Sequence, residues 1–342
     1  MDGSASARLT PDLHQLLAEK ARSFSYAARF LPPNQRDATR VLYAYCRTMD
    51  DLVDEPAPGV TPADTRRRLG EWRSWLEATD RRDLAPPEPV SLAVALGDVI
   101  ERHDLPPAYL TALIDGVESD LCRVRMPDFP ALRRYCMLVA GVVGLAMCHI
   151  VGVRGQAALA AAASLGIAMQ LTNVLRDVGG DLQRDRIYLP ADELARFGCS
   201  EESLRRLAAA GGRVDDSFRA LMRFQIARAR ACYDRGLTGV WLLPPETRTA
   251  ILSAGRIYRA ILDQIERNGY DVLHRRAITS GLVKAREGLA ARALVALWGG
   301  RPVAGAQTSY HELLDDEVDN WCVVDLPLES RGVGAEPQPR SL

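Results

Sequence analysis

Apolar residues recur at spacings of three and four through most of this chain, in segments of roughly 15–25 residues, and alternating runs of the kind that build strands are nearly absent. Proline and glycine gather at the breaks: Leu31-Pro-Pro, Pro56–Pro62, Pro86–Pro89, Pro106-Pro107, Met126–Pro130, Gly211-Gly212 and Pro244-Pro245. Thr10-Pro-Asp reads as a helix start, and Pro244-Pro-Glu-Thr opens a segment that runs to Arg267, where Asn268-Gly269 stops it. The pattern predicts an all-α, single-domain bundle over residues 1–298. From Gly299 to Leu342 the chain turns to Gly, Pro and acidic residues, a composition that buries little apolar area and predicts a disordered tail. The longest apolar stretch, Met137–Val153, is shorter than the roughly 20 residues of a membrane span and contains His149, so a buried core helix is expected there.

Composition narrows the function classes. The chain is 47% hydrophobic and 25% charged with a net charge of −1, without the basic surplus of a nucleic-acid binder. Small anions remain eligible ligands, because local clusters hold them; apart from Lys20 and Lys284 the Lys/Arg set is all arginine, the better fork for phosphate. Seven cysteines occur with no CxxC pair, which argues against a disulfide framework or a structural zinc site. The N-terminus has no apolar signal-peptide core, so a cytoplasmic protein is expected.

Two acidic stripes carry the chemistry. In Val41–Glu55 the carboxylates of Asp50 and Asp54 lie one helical turn apart on one face, which continues back through Arg47 and Tyr43, while Val41, Leu42, Ala44, Met49, Leu52 and Val53 are apolar. In the second, Gln170, Asn173, Asp177 and Asp181 follow one another at helical spacing after the nearly all-apolar run Ala158–Met169. Like charges on a mostly buried helix repel, and a cation offsets that repulsion directly. Two such helices facing one pocket suit Mg²⁺, a hard ion held by a few carboxylates, waters and substrate phosphates. A lone acidic pair is more often a solvated surface. Two, each on an apolar helix with amide or arginine companions, are harder to dismiss. Neither EF-hand spacing nor the Glu-x-x-His of di-iron sites is present.

Arginines suited to diphosphate appear as Arg22 beside Ser23 and Ser25, and as His274-Arg-Arg276. Ala140, Gly141 and Gly144 sit within an apolar helix, which points either to close helix packing or to room for a ligand.

YAYCRTMDDLVDE (43–55) and QLTNVLRDVGGDLQRDRIYLP (170–190) resemble the two signature segments of the squalene and phytoene synthase family. RSFSYAARFLPP, LIDGVESDL, RYCMLVAGVVGLAMCHIVG and YRAILDQIERNGYDVLHRRA agree in order, so the resemblance covers roughly residues 15 to 298. It implies an isoprenoid-synthase-type helical bundle around a central cavity, in which two allylic prenyl diphosphates are condensed head to head. By the same resemblance Asp50, Asp54, Asp177 and Asp181 bind Mg²⁺ with Asp51 and Asn173 nearby. Arg22, Ser23, Arg47, Tyr258 and Arg276 match diphosphate contacts, with Asn173 beside them. Tyr43, Tyr135, Gln170 and Tyr188 match residues around the reacting allyl groups. The implied route is ionisation of one diphosphate, capture of the cation to give a cyclopropylcarbinyl diphosphate, then a second ionisation, rearrangement and deprotonation. One departure stands out: the family commonly has an acidic residue where this chain has Gly180.

The wording LTNVLRDVGGD and NGYDVLHRR, with Ala27-Ala28 after RSFSY, favours two geranylgeranyl diphosphates and the product phytoene. A C15-specific enzyme making squalene, dehydrosqualene or presqualene diphosphate is the alternative, a terpene cyclase of the same family a further one, and an inactive lipid-binding relative a third. Expected partners are prenyl diphosphates, with loose peripheral membrane association because substrate and product are lipids. No protein partner is readable.

Overall fold

The computed structural model describes residues 26–298, which fall within one compact unit, Met1–Ala304; a second unit, Gly305–Leu342, lies outside the described residues, as do Arg22, Ser23, the Thr10 helix start and the 299–342 tail. The described chain is helical, and its one β-type contact is an isolated parallel bridge between Arg125 and Ile187. The helices are α1 (Pro33–Asp54), α2 (Pro62–Glu77), α3 (Val90–His103), α4 (Pro107–Glu118), α5 (Phe129–Ile150), α6 (Gln156–Gln183), α7 (Ala191–Arg196), α8 (Glu201–Ala210), α9 (Asp216–Thr238), α10 (Pro245–Arg267) and α11 (Gly281–Trp298).

The predicted breaks fall where the chain turns, for identifiable local reasons. Proline stands in the first turn of α1, α2, α4 and α10, where its missing N–H costs nothing. Thr61 and Asp64 close a reciprocal capping box on α2, and Asp128 and Asp215 accept the Ala131 and Phe218 amides at the starts of α5 and α9. The 28-residue α6 is the central element. It packs most extensively on α5 and α9 and also against α10, while α1–α4 associate on the other side of α5. Both α5 and α6 are long and apolar enough to cross a membrane, yet half or more of each is buried inside the bundle, as the core-helix reading expects.

The glycines explain how α6 can be so tightly surrounded. A Cβ on Gly144 would stand 2.3 Å from the Ala162 carbonyl oxygen, and one on Gly166 would stand 2.3 Å from that of Ala140, so α5 and α6 touch backbone to backbone. Of the two meanings open to glycine in α5, close packing is the one realised at Gly144. At Met137–Gly141 α5 widens into a single π turn, which shifts the register of the following face.

These contacts set a stability test. Gly166→Ala forces a methyl into backbone and should cost about 2–4 kcal/mol in urea unfolding. Gly180→Ala, where nothing lies within 4 Å of the added carbon, should be neutral or stabilise by up to about 1 kcal/mol. Equal effects at the two positions would contradict this packing.

Candidate active site

Helix α1 presents Tyr43, Arg47, Asp50 and Asp54, and α6 presents Gln170, Asn173, Asp177 and Asp181; all eight remain half-buried while their apolar neighbours are buried. The two stripes meet through the segment that follows α6. The Arg186 guanidinium donates to Asp54 at 2.6 Å and to the Asp120 carbonyl at 3.2 Å, and Arg184 lies 3.6 Å from the other Asp54 oxygen. The Asp120 carboxylate in turn accepts the hydroxyls of Tyr135 and Tyr188, each at 2.8 Å, and those rings stack with centroids 4.9 Å apart. Asp120 also raises the proton affinity of Asp50 on α1 and of Asp181 on α6, so the two motifs share one electrostatic site.

The segment 184–188 is fixed from outside. Across the Arg125–Ile187 bridge the Ile187 N–H donates to the Val124 carbonyl and the Met126 N–H donates to the Ile187 carbonyl. Arg125 donates to Glu201 at 2.7 and 2.8 Å and to the Asp185 carboxylate at 2.7 Å, and Arg205 reaches the same two acids. Asp185 holds a left-handed φ of 57° under this clamp. The result is that Arg186 and Tyr188 are aimed inward from a short, rigid connection.

On the α6 side, Arg276 donates to Asp177 at 2.7 and 3.2 Å, and neighbouring Arg176 donates to the same carboxylate at 2.9 Å. Gly179 makes this approach feasible: a Cβ there would lie 2.3 Å from the Leu273 carbonyl, so the 268–276 segment can press onto α6. His274 faces away from the stripe, with its ring nitrogens on Asp271 and the Ala208 carbonyl, which leaves Arg276 as the cluster's contribution. Burial and then Tyr258 raise the Tyr43 hydroxyl, and Tyr258 also acts on Arg176, joining α10 to both stripes. Arg47 is bound to Asp51 and lies 3.2 Å from Glu55.

Every described residue expected at the site is therefore brought into one region, and Arg22 and Ser23 lie outside the described residues. The sequence reading had not singled out Asp120, Arg176, Gly179, Arg186 or the Arg125 clamp. Arg176 and Gly179 stand inside the second motif, and Asp120 lies within the LIDGVESDL segment, so a signal existed for each. Arg125 gave none, since its role arises only when distant segments pair. Gly180 is exposed with open space around it, so no steric demand accounts for glycine there.

The donor set fits a hard cation. The carboxamide oxygen of Asn173 is buried without a hydrogen-bond partner, while its nitrogen donates to Gln170 at 3.0 Å, so a free oxygen ligand stands on the stripe of Asp177 and Asp181. Among the described residues no three acidic, His or Cys side chains by themselves gather around an ion. Apolar side chains of the core helices, including Leu138, Val139, Val143 and Met147 on α5 and Met169 on α6, stay only half-buried.

Charge in the site is held under tension. Burial, reinforced by Asp54, Asp51 and Asp120 and opposed by Arg47, pushes Asp50 up to about 7. Burial and then Asp177 push Asp181 up to about 7 as well, against Arg186 and Arg184. Burial also acts on Asp177, but the Arg176 and Arg276 guanidinium groups outweigh it and hold that carboxyl below the usual range. Between an ordinary carboxylate value and about 7 the folded protein keeps protons on Asp50 and Asp181 that the unfolded chain has released, so these groups lower metal-free stability as pH rises through that window. Asp50→Asn should therefore raise the melting temperature of metal-free protein by about 3–6 °C at pH 8 and by clearly less at pH 5. A gain confined to pH 5, or none at either pH, would contradict the assignment.

The profile of the squalene/phytoene synthase family matches residues 17–282. A phytoene synthase from Arthrospira platensis is 40% identical over 77% of this chain and 85% of its own length. The 15-cis-phytoene synthase of Synechococcus elongatus is 37% identical over 78% of this chain and 86% of its own. Among solved structures, a dehydrosqualene synthase in complex with ligand superposes with a TM-score of 0.72 at 25% identity, covering 84% of this chain and 96% of that one. The squalene synthase HpnC from Alicyclobacillus acidocaldarius does so with a TM-score of 0.66 at 27% identity, covering 76% and 93%. With the profile spanning most of its length and relatives this similar, the chain belongs to the squalene/phytoene synthase family.

Proposed function

We propose that this enzyme joins two geranylgeranyl diphosphates head to head, through a cyclopropylcarbinyl diphosphate, to give phytoene. The observation that carries the reaction class is the convergence of two carboxylate stripes, from α1 and α6, on Asp120 and Arg186. The choice of C20 substrate is supported by relatives at 37–40% identity that are named phytoene synthases. Residues 1–298 form the catalytic domain of a cytoplasmic enzyme in this reading.

Asp50, Asp54, Asn173, Asp177 and Asp181 are the residues that would hold Mg²⁺. When bound, the metal would supply Lewis-acid withdrawal of charge from the leaving diphosphate. Arg47, Tyr258 and Arg276, with Arg22 and Ser23, orient the diphosphates. Arg276 and Arg186 now neutralise Asp177 and Asp54, so each has a guanidinium that can turn to a phosphate when the carboxylate takes another partner. Tyr43, Tyr135, Gln170 and Tyr188 surround the allyl groups. Burial drives the hydroxyls of Tyr43, Tyr135 and Tyr188 well up, so they stay protonated and do not trap a carbocation as phenolates. The stacked faces of Tyr135 and Tyr188 can stabilise positive charge without bonding to it. Half-buried apolar side chains on α5 and α6 suit two prenyl chains and exclude water.

The test is incubation of pure protein and Mg²⁺ with geranylgeranyl diphosphate alone or farnesyl diphosphate alone, without nicotinamide cofactor. A C40 hydrocarbon from the C20 substrate is expected, with Asp177→Asn lowering turnover by about a thousandfold or more. A C30 product from farnesyl diphosphate only would move the substrate to C15, the class of the dehydrosqualene synthase neighbour. A cyclised product from one diphosphate would overturn the condensation.

A further inference from the structure

Helix α5 has no solvent face beyond Tyr135, yet it is not fully packed. From Tyr135 to Ile150 none of its residues is exposed, and its C-terminal half lies among α1, α3, α4 and α6. Val139, Val143 and Met147 nevertheless stay half-buried. Apolar side chains that keep accessible surface inside a ring of helices line an interior space, because a closed core would be packed to the density of a crystal.

These residues continue from Tyr135 at intervals of four. In a regular α-helix residues four apart drift around the axis by about 40° at each step, so such a line winds away from the space it faces. The π turn at Met137–Gly141 inserts one residue and removes most of that drift between Tyr135 and Val143. Tyr135, Val139 and Val143 therefore stand nearly in line along the axis, with Met147 one turn further. There the line stops. Cys148, His149 and Ile150 are buried, and so is Val151 after the helix. The end is tied down as well: His149 Nδ1 lies 2.6 Å from the Asp104 carbonyl, and Arg154 donates to the carbonyls of His103 at 2.6 Å and His149 at 3.2 Å. Met147 is the last open position before a fixed floor.

The spacing matches the repeat of a prenyl chain. An extended isoprene unit spans about 5 Å, close to the rise of one helical turn at about 5.4 Å. Tyr135 belongs to the reacting end of the site through its hydroxyl bond to Asp120. From there Val143 lies about 12 Å along α5 and Met147 about 18 Å. Three isoprene units, about 15 Å, end short of Met147, and four, about 20 Å, reach it. We infer that α5 measures one of the two prenyl chains, with Met147 stopping the fourth isoprene unit and Val143 deciding whether that unit fits. This assignment deepens the proposed function and rests on its placement of the allyl groups at Tyr135.

The test is calorimetric titration, in magnesium, with unreactive thiodiphosphates of farnesyl, geranylgeranyl and geranylfarnesyl chains, so that chain selection is read without turnover. Wild-type protein should bind the C20 analogue at least about tenfold more tightly than the C25 analogue. Val143→Phe should weaken the C20 analogue by more than about tenfold while the C15 analogue keeps its affinity within about threefold. Met147→Ala should strengthen the C25 analogue by about tenfold. Retained C15 binding in Val143→Phe shows that the fold is intact, and the gain in Met147→Ala is a change that a packing defect does not produce. Equal shifts for all the analogues in either variant, or no shift at all, would overturn the assignment. Product mass separates it from the proposed reaction: protein that ranks the analogues as expected but yields no C40 hydrocarbon would support the measuring role of α5 and overturn the condensation.

Discussion

Repulsion among half-buried carboxylates is the constraint around which this protein is arranged. Asp50, Asp54, Asp120, Asp177 and Asp181 face one region, and two of them are pushed up to about 7 by burial and by one another. Arginines contain Asp54 (Arg186) and Asp177 (Arg176 and Arg276), two tyrosine hydroxyls hold Asp120, and Arg47 is bound to the adjacent Asp51. A packed apolar site would be more stable than this one. Charges concentrated so tightly make sense where a cation and a polyanion must be gripped together.

The scaffold serves that concentration. Glycine contacts at 144 and 166 draw α5 and α6 into backbone contact, and Gly179 lets the 268–276 segment reach α6 with its arginine. From the other direction the Arg125 clamp and the Arg125–Ile187 bridge hold the post-α6 segment so that Arg186 and Tyr188 point into the site. Rigid support of this kind keeps opposed charges at fixed distances while the ligands change.

Much of this was legible in the residues. The stripes on α1 and α6 declare themselves because helical spacing converts sequence directly into a face, and the apolar residues beside them give the direction of burial. Proline and glycine marked the helix boundaries for the same local reason. Asp120 and Arg186 fall inside recognisable segments, but their roles, like the Arg125 clamp, were not legible. They stand in connections whose positions depend on how residues 124–126 meet 186–188, a pairing across some sixty residues that no local pattern encodes. The glycines were ambiguous until the partner helix was in place.

The central claim is that the carboxylates and arginines form one site for a metal-bound prenyl diphosphate. Its most direct test is calorimetric titration with the unreactive analogue geranylgeranyl thiodiphosphate, in magnesium and in chelator. The account predicts saturable binding in magnesium that weakens at least about a hundredfold in chelator, and a much smaller magnesium effect in Asp177→Asn. Equal affinity with and without magnesium in the wild-type protein would contradict it.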